Sequence, residues 1–249
     1  MRVGLTYTQM KLGWGHKRLD ELKREVDEFR KDAHIIRTKD DIEQSRYRVY
    51  IEQKITPDPI GMLVGEFAYA LRSGLDHLAW QLALLKTAKP GRQTAFPIDS
   101  ECPPLTNRAY QEKIADIPGP ALAIIESLQP YKNWPAFKDH PLWQLNKLCN
   151  IDKHRVVAIS HIGFEIFIAE GISAAWRRDT NEAMEISIPL AEKSKFHIEI
   201  RCPGIVFGDP IETTDAPSDF EISLEGLDRI YHFIRNDTVP RFEDFFANS

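Results

Sequence analysis

Between residues 58 and 86 apolar side chains recur every three or four positions, and no proline interrupts them after Pro59. Asp58 followed by Pro59 supplies an N-cap and a proline at the first helical position, so the pattern predicts the longest helix of the chain there. On its wheel Phe67, Ala68, Leu71, Leu75, Leu78, Ala79 and Leu82 fill one side, while Glu66, Tyr69, Arg72, Ser73, Asp76, His77 and Gln81 gather on the other. Leu19, Leu22, Val26 and Phe29 predict an amphipathic helix over about 16–32. Leu142, Leu145 and Leu148 predict another over about 141–155, opened by His140-Pro141. Ser223 caps a closing helix with Leu224, Leu227, Tyr231 and Ile234 on one face, and the short apolar segment from Phe242 to Phe246 carries the closing helices to about 247.

Elsewhere the period is two. Tyr47, Val49 and Ile51 alternate with charged neighbours and follow a β-prone run at Ile36, which predicts a hairpin turning through Lys39 to Ser45. Phe164, Ile166 and Ile168 alternate in the same way, as do Met184, Ile186 and Ile188, and then Phe196, Ile198 and Ile200. Nine of the sixteen prolines lie between 89 and 141, so that stretch reads as loops with short helices at 108–115 and 121–128. The expected class is α+β: a bundle-like helical middle over about 58–156 packed on a mostly antiparallel sheet from about 33–54 and 157–208. One intertwined domain spanning 1–249 is expected. Trp14, Trp80, Trp134 and Trp143 are expected in or at the edge of the core.

At 249 residues and 43% hydrophobic content the chain can bury a full core, which excludes a disordered tail or a coiled-coil rod. A net charge of -5 excludes a globally basic nucleic-acid binder and leaves only a local patch for such a partner. Cys102, Cys149 and Cys202 are three, widely spaced and without a CxxC pair, which points away from a disulfide framework or zinc site and toward a reducing cytoplasm. No apolar run reaches the length of a membrane span or an export signal. Phosphate-binding glycine loops, HExxH and GxSxG are absent.

The chemistry concentrates on the polar face of the long helix and on the run Asn150, Asp152, Lys153, His154 and Arg155. Asp152 lies seven residues after Leu145 and four after Leu148, on the stripe that should face inward, so its carboxylate needs a partner such as Arg72 or His77. Two readings stay open. In one, Arg72, Asp76, Asp152 and His154 form a structural salt-bridge network of a non-catalytic binding or scaffolding protein. In the other, Arg72, Asp76 and His77 are catalytic, and Glu66, Tyr69, Ser73, Asp152, His154 and Arg155 bind the ligand. Glu66, Asp76, His77, Asp152 and His154 could in principle hold a metal, but they lack a Glu-x-x-His spacing, so no metal or other cofactor is expected.

Several segments carry a resemblance: Gly65-Glu66, Leu71-Arg72-Ser73-Gly74-Leu75-Asp76-His77-Leu78, Phe96-Pro97-Ile98, Leu128-Gln129-Pro130-Tyr131 and Asn150-Ile151-Asp152-Lys153-His154-Arg155. In this order they resemble a family of bacterial proteins of about this length to which no activity is assigned. Here Gly65-Glu66 and Tyr69-Ala70 stand where that family often has Gly-Asp and His-Asn. The Arg72 to His77 spacing is also similar, more distantly, to the HEPN superfamily of helical ribonucleases, although Ser73 stands where those proteins usually carry Asn, Asp or His. Arg155 to His161 has a comparable spacing, and what singles out Arg72 to His77 is its place on a long amphipathic helix. The HEPN resemblance implies a metal-independent, RNA-cleaving protein of defence or toxin type, with RNA as partner. In it His77 would act as general acid or base, Arg72 would stabilise phosphorane charge, and the site would be doubled across a homodimer.

Overall fold

The computed structural model describes residues 3–31, 33–53, 58–104, 106–154, 158–168, 175–178, 183–195, 198–208 and 220–247. The class is α+β. Helix α1 (Thr6–Lys31) leads into the hairpin β1 (His34–Asp41) and β2 (Arg46–Gln53), and α2 (Asp58–Leu84) follows. Two short helices, α3 (Arg108–Ile114) and α4 (Gly119–Ser127), interrupt the proline-rich stretch before α5 (Pro141–His154). Strands β3 (Ala158–Ile168), β4 (Ala175–Arg178), β5 (Ala183–Pro189), β6 (Ile198–Gly208) and β7 (Glu221–Ser223) precede α6 (Leu224–His232). From Phe233 to Phe246 the chain continues in a π turn and a 3-10 segment.

Each helix buries the stripe its sequence marks. Leu19, Leu22 and Val26 of α1, Phe67, Leu71, Leu75, Leu78 and Leu82 of α2, Leu142, Leu145 and Leu148 of α5, and Leu227 and Ile230 of α6 are fully enclosed. They form one apolar cluster that also takes in Phe207 of β6 and Ile222 of β7. The Ser223 hydroxyl accepts from Gly226 N–H at 3.2 Å, the cap expected of it.

Helix α1 begins ten residues earlier than its apolar stripe suggested. The added turns of α1 pack closely against α2 at Gly15 and Gly74. A Cβ at Gly15 would lie 2.9 Å from Leu71 Cδ2, and one at Gly74 of α2 would lie 3.4 Å from Leu12 Cδ2. Absent side chains let the helices approach, and the contact outweighs a propensity cost of about 1 kcal/mol per glycine.

The strands divide between two sheets instead of forming one. Strands order as β1-β2-β5-β4 in the first and β3-β6-β7 in the second, and every described pairing is antiparallel. Val49 and Ile51 of β2 pair across to Ile186 and Met184 of β5, so the early hairpin and a late strand share one sheet as the alternation required. Val49, Ile51, Ile186 and Ile188 are buried but lie outside the main apolar cluster.

The tryptophans also depart from expectation. Trp143 packs against the core, but Trp14 and Trp134 are exposed. Trp14 follows Leu12 by two residues, which rotates it about 200° away from the buried stripe of α1.

Candidate functional site

Five segments enclose a cleft of about 800 Å³ on the polar side of α2. Helix α2 supplies its floor with Tyr69, Arg72, Ser73, Asp76, His77, Trp80 and Gln81; α1 adds Tyr7. The chain after α2 contributes Thr94 and Ile98, and α3 contributes Lys113. Helix α5 closes the far wall with Asn146, Cys149, Asn150, Asp152 and Lys153. Exposed Tyr7, Tyr69, Asn150, Asp152 and Lys153 mark where the cleft meets solvent.

Arg72 and Asp76, one turn apart, are joined at 3.0 Å and do more than pair with each other. Arg72 Nη2 also donates to the carbonyl oxygen of Phe96 at 2.7 Å, and Asp76 Oδ1 accepts from the Phe96 N–H at 3.1 Å. The pair therefore grips both polar groups of one peptide residue, and the Phe96 ring is driven into the core. From the other side, buried Gln129 after α4 holds the same segment. Its Nε2 donates to Pro97 O at 2.9 Å and Ile125 O at 3.1 Å, and its Oε1 accepts from Asp99 N at 3.0 Å. Three of the segments that carry the resemblance thus meet in one hydrogen-bonded unit that sets the inner wall of the cleft.

His77 is placed differently. Its ring stacks on Tyr7 of α1, with centroids 6.1 Å apart, and it makes no hydrogen bond or ion pair to a described residue. Arg72 Nη1 and Thr94 Oγ1 are buried without a hydrogen-bond partner among the described residues. Cys149 lines the cleft, but burial pushes its thiol up to about 12, so it is no thiolate nucleophile at neutral pH. Burial also raises the Asp99 carboxyl, against the opposing charges of Lys113 and Arg72.

Asp152 meets α2, as its stripe position requires, but at Gly65 and not at Arg72 or His77. A Cβ at Gly65 would come within 2.0 Å of Asp152 Oδ1. A glycine brings no side chain to cover the carboxylate, which stays exposed at the rim while partial desolvation raises its pKa. The expected buried salt bridge between α2 and α5 through Asp152 is therefore corrected: Arg72 takes its carboxylate from its own helix.

Of the residues expected to form the site, Tyr69, Arg72, Ser73, Asp76, His77 and Asp152 converge on the cleft. Glu66 does not. It turns to α1, where Arg18 reaches it at 3.2 Å. The side chain of His154 and the whole of Arg155 lie outside the described residues, so the expectations on them do too, as does the Arg155 to His161 spacing. Among the described residues no group of three His, Cys, Asp or Glu side chains is placed to hold a metal ion. Tyr7, Lys113 and Thr94 carried no signal in the sequence, because only packing brings α1, α3 and the loop to α2. Asn150 and Lys153 belong to the polar run already marked in the sequence, and Asn146, four residues before Asn150, was legible in principle as its extension beside the leucines of α5.

No protein-family model, curated protein or solved structure matches this chain. The chemistry of the cleft rests on its own residues. No described helix is long and apolar enough to cross a membrane.

Proposed function

We propose that the cleft on α2 cleaves RNA without a metal ion, with His77 exchanging the proton of a ribose 2′-hydroxyl. The observation that carries the reading is the pairing of an uncommitted imidazole with a guanidinium on one wall of an open cleft. In such a reaction the imidazole takes the 2′-hydroxyl proton, the oxygen attacks the adjacent phosphorus, and the bond to the 5′-oxygen breaks as that oxygen takes a proton from a water molecule, leaving a 2′,3′-cyclic phosphate and a 5′-hydroxyl. Charge building on the phosphoryl oxygens needs a fixed cation. Arg72 is fixed by Phe96 and Asp76 and lines the cleft, and Lys113 and Lys153 add positive charge to the lining. Asp76 takes the role of holding Arg72 and Phe96, since its Oδ1 already accepts from both.

The grip on Phe96 favours a second reading, in which Arg72 and Asp76 are structural and the protein binds without catalysis. One experiment separates the two: incubation of purified protein with several RNAs in EDTA, wild type beside His77→Ala, with circular dichroism on both. Cleavage by the wild type and its loss with His77 support the nuclease. Absence of cleavage by a folded wild type on every RNA overturns it and leaves the binding protein. Light scattering on the same samples tests the homodimer that belongs to the nuclease reading.

A further inference from the structure

Next to the cleft, α1 and α2 present large apolar side chains to water although their shared interface is otherwise closed. Tyr7 is 49% exposed, Met10 64%, Trp14 51% and Tyr69 65%. Tyr7, Met10 and Trp14 follow one another at spacings of three and four, so they form one stripe over two turns of α1, about 10 Å from end to end. The stripe starts inside the cleft, because Tyr7 lines it and stacks on His77, and Tyr69 lines it from the α2 side.

Two of these aromatic rings, Tyr69 at the cleft and Trp14 beyond it, carry cations. Lys11 Nζ lies 5.7 Å from the centroid of Tyr69, and Lys17 Nζ and Arg18 Cζ lie 5.3 and 4.6 Å from that of Trp14. Arg18 shares its charge with Glu21 and Glu66. Lys11 and Lys17 have no carboxylate partner among the described residues, so two ammonium groups stand free beside two exposed rings. A partner matching this face has flat apolar surfaces alternating with negative charge.

Resting on the cleavage reading above, we propose that this face of α1 is a track for single-stranded RNA, along which bases stack on Trp14 and Tyr69 and phosphates meet Lys11 and Lys17. Every base has a π face, so such a track is sequence-tolerant, and it explains how a chain with net charge -5 holds a polyanion through a local patch. Exposed aromatics that a soluble helix would otherwise avoid become the binding element, and the reacting nucleotide is delivered to Tyr7 and His77 at the inner end.

The test is fluorescence anisotropy with labelled oligouridylates of 4 and 16 nucleotides, using full-length protein carrying His77→Ala so that the probe survives. On the proposal the 16-mer binds at least tenfold more tightly than the 4-mer, and adding Trp14→Ala removes about that advantage while leaving the 4-mer unchanged. Trp14→Tyr, which keeps a stacking ring, restores most of it. Replacing Lys11 and Lys17 by Gln lowers the slope of log affinity against log salt by about 1.4, the share of two phosphates on a single strand. Thermal melts followed by circular dichroism confirm that these surface variants fold. Equal affinity for both lengths and indifference to Trp14, with a wild type that still cleaves, overturns the track and spares the nuclease. Trp14-dependent binding without cleavage supports the track and ends the nuclease reading. Neither binding nor cleavage ends both, and the face then belongs to a protein partner.

Discussion

Arg72 donates to the carbonyl oxygen of Phe96 at 2.7 Å, across 24 residues of chain, and the same residue's N–H is held by Asp76. A side chain on the polar face of α2 is thus an anchor for a loop. His77, five residues on, has no such duty. The contrast makes the two halves of the cleft separable by experiment.

Arg72→Ala should lower stability by about 2 kcal/mol, because it leaves the Phe96 carbonyl and the Asp76 carboxylate short of a charged donor. His77→Ala should shift it by less than about 0.5 kcal/mol, as expected of a partly exposed ring without hydrogen bonds to the described residues. Urea titrations of the two variants check this, and equal midpoints would refute the anchor.

Gln129→Ala should be at least as damaging as Arg72→Ala. It removes three hydrogen bonds at a fully buried position and strands the Pro97 carbonyl and the Asp99 N–H, a cost of about 2–4 kcal/mol. Because Gln129 does not touch the cleft, the change should act on stability and on the 94–99 segment together. Loss of near-ultraviolet dichroism alongside the lowered melting point is the expected signature.

Gly65→Ala would ordinarily strengthen a helix interior by up to about 1 kcal/mol. Here the added methyl meets Asp152 Oδ1, the far end of an exposed side chain that must turn away, so the expected gain is reduced toward zero. Combining it with Asp152→Ala should return the gain. A double-mutant cycle measured by chemical denaturation reads the coupling directly, and additive effects would mean that the close contact does not matter.

His140 gives the clearest pH dependence. Its Nδ1 accepts from the Leu142 N–H at 3.2 Å where α5 starts, its ring meets Phe233 edge-on, and burial depresses its pKa below the ordinary histidine value. The unfolded chain therefore takes up the proton first. Stability should fall as pH drops from about 6.5 and level off once the lower folded pKa is passed. His140→Asn, which keeps a short acceptor at the helix start, should flatten this limb. Unfolding midpoints of both proteins between pH 7.5 and 5 decide it: parallel curves would rule His140 out.

The elements themselves were legible because they depend on local period. The stripes of α2, α5 and α6 are buried as read, and the Ser223 cap is made as read. What misled was local evidence with a non-local cause. The stripe from Leu19 to Phe29 suggested a late start for α1, yet the helix already packs against Leu71 at Gly15. Asp152 was correctly aimed at α2, but the wheel could not tell that a glycine would face it.

The site divides in the same way. Tyr69, Arg72, Ser73, Asp76 and His77 share a face because helical geometry repeats every 3.6 residues, a rule that acts within a few residues and is written into the order of side chains. Which of them are spent on holding the protein together depends on Phe96 and Gln129, which of them meet an aromatic partner depends on Tyr7, and what opens the cleft depends on α5. Those are contacts between segments far apart in the chain. Period and composition specify which face is apolar, but not which distant polar group will dock against the other face, since that follows from how all the helices pack at once.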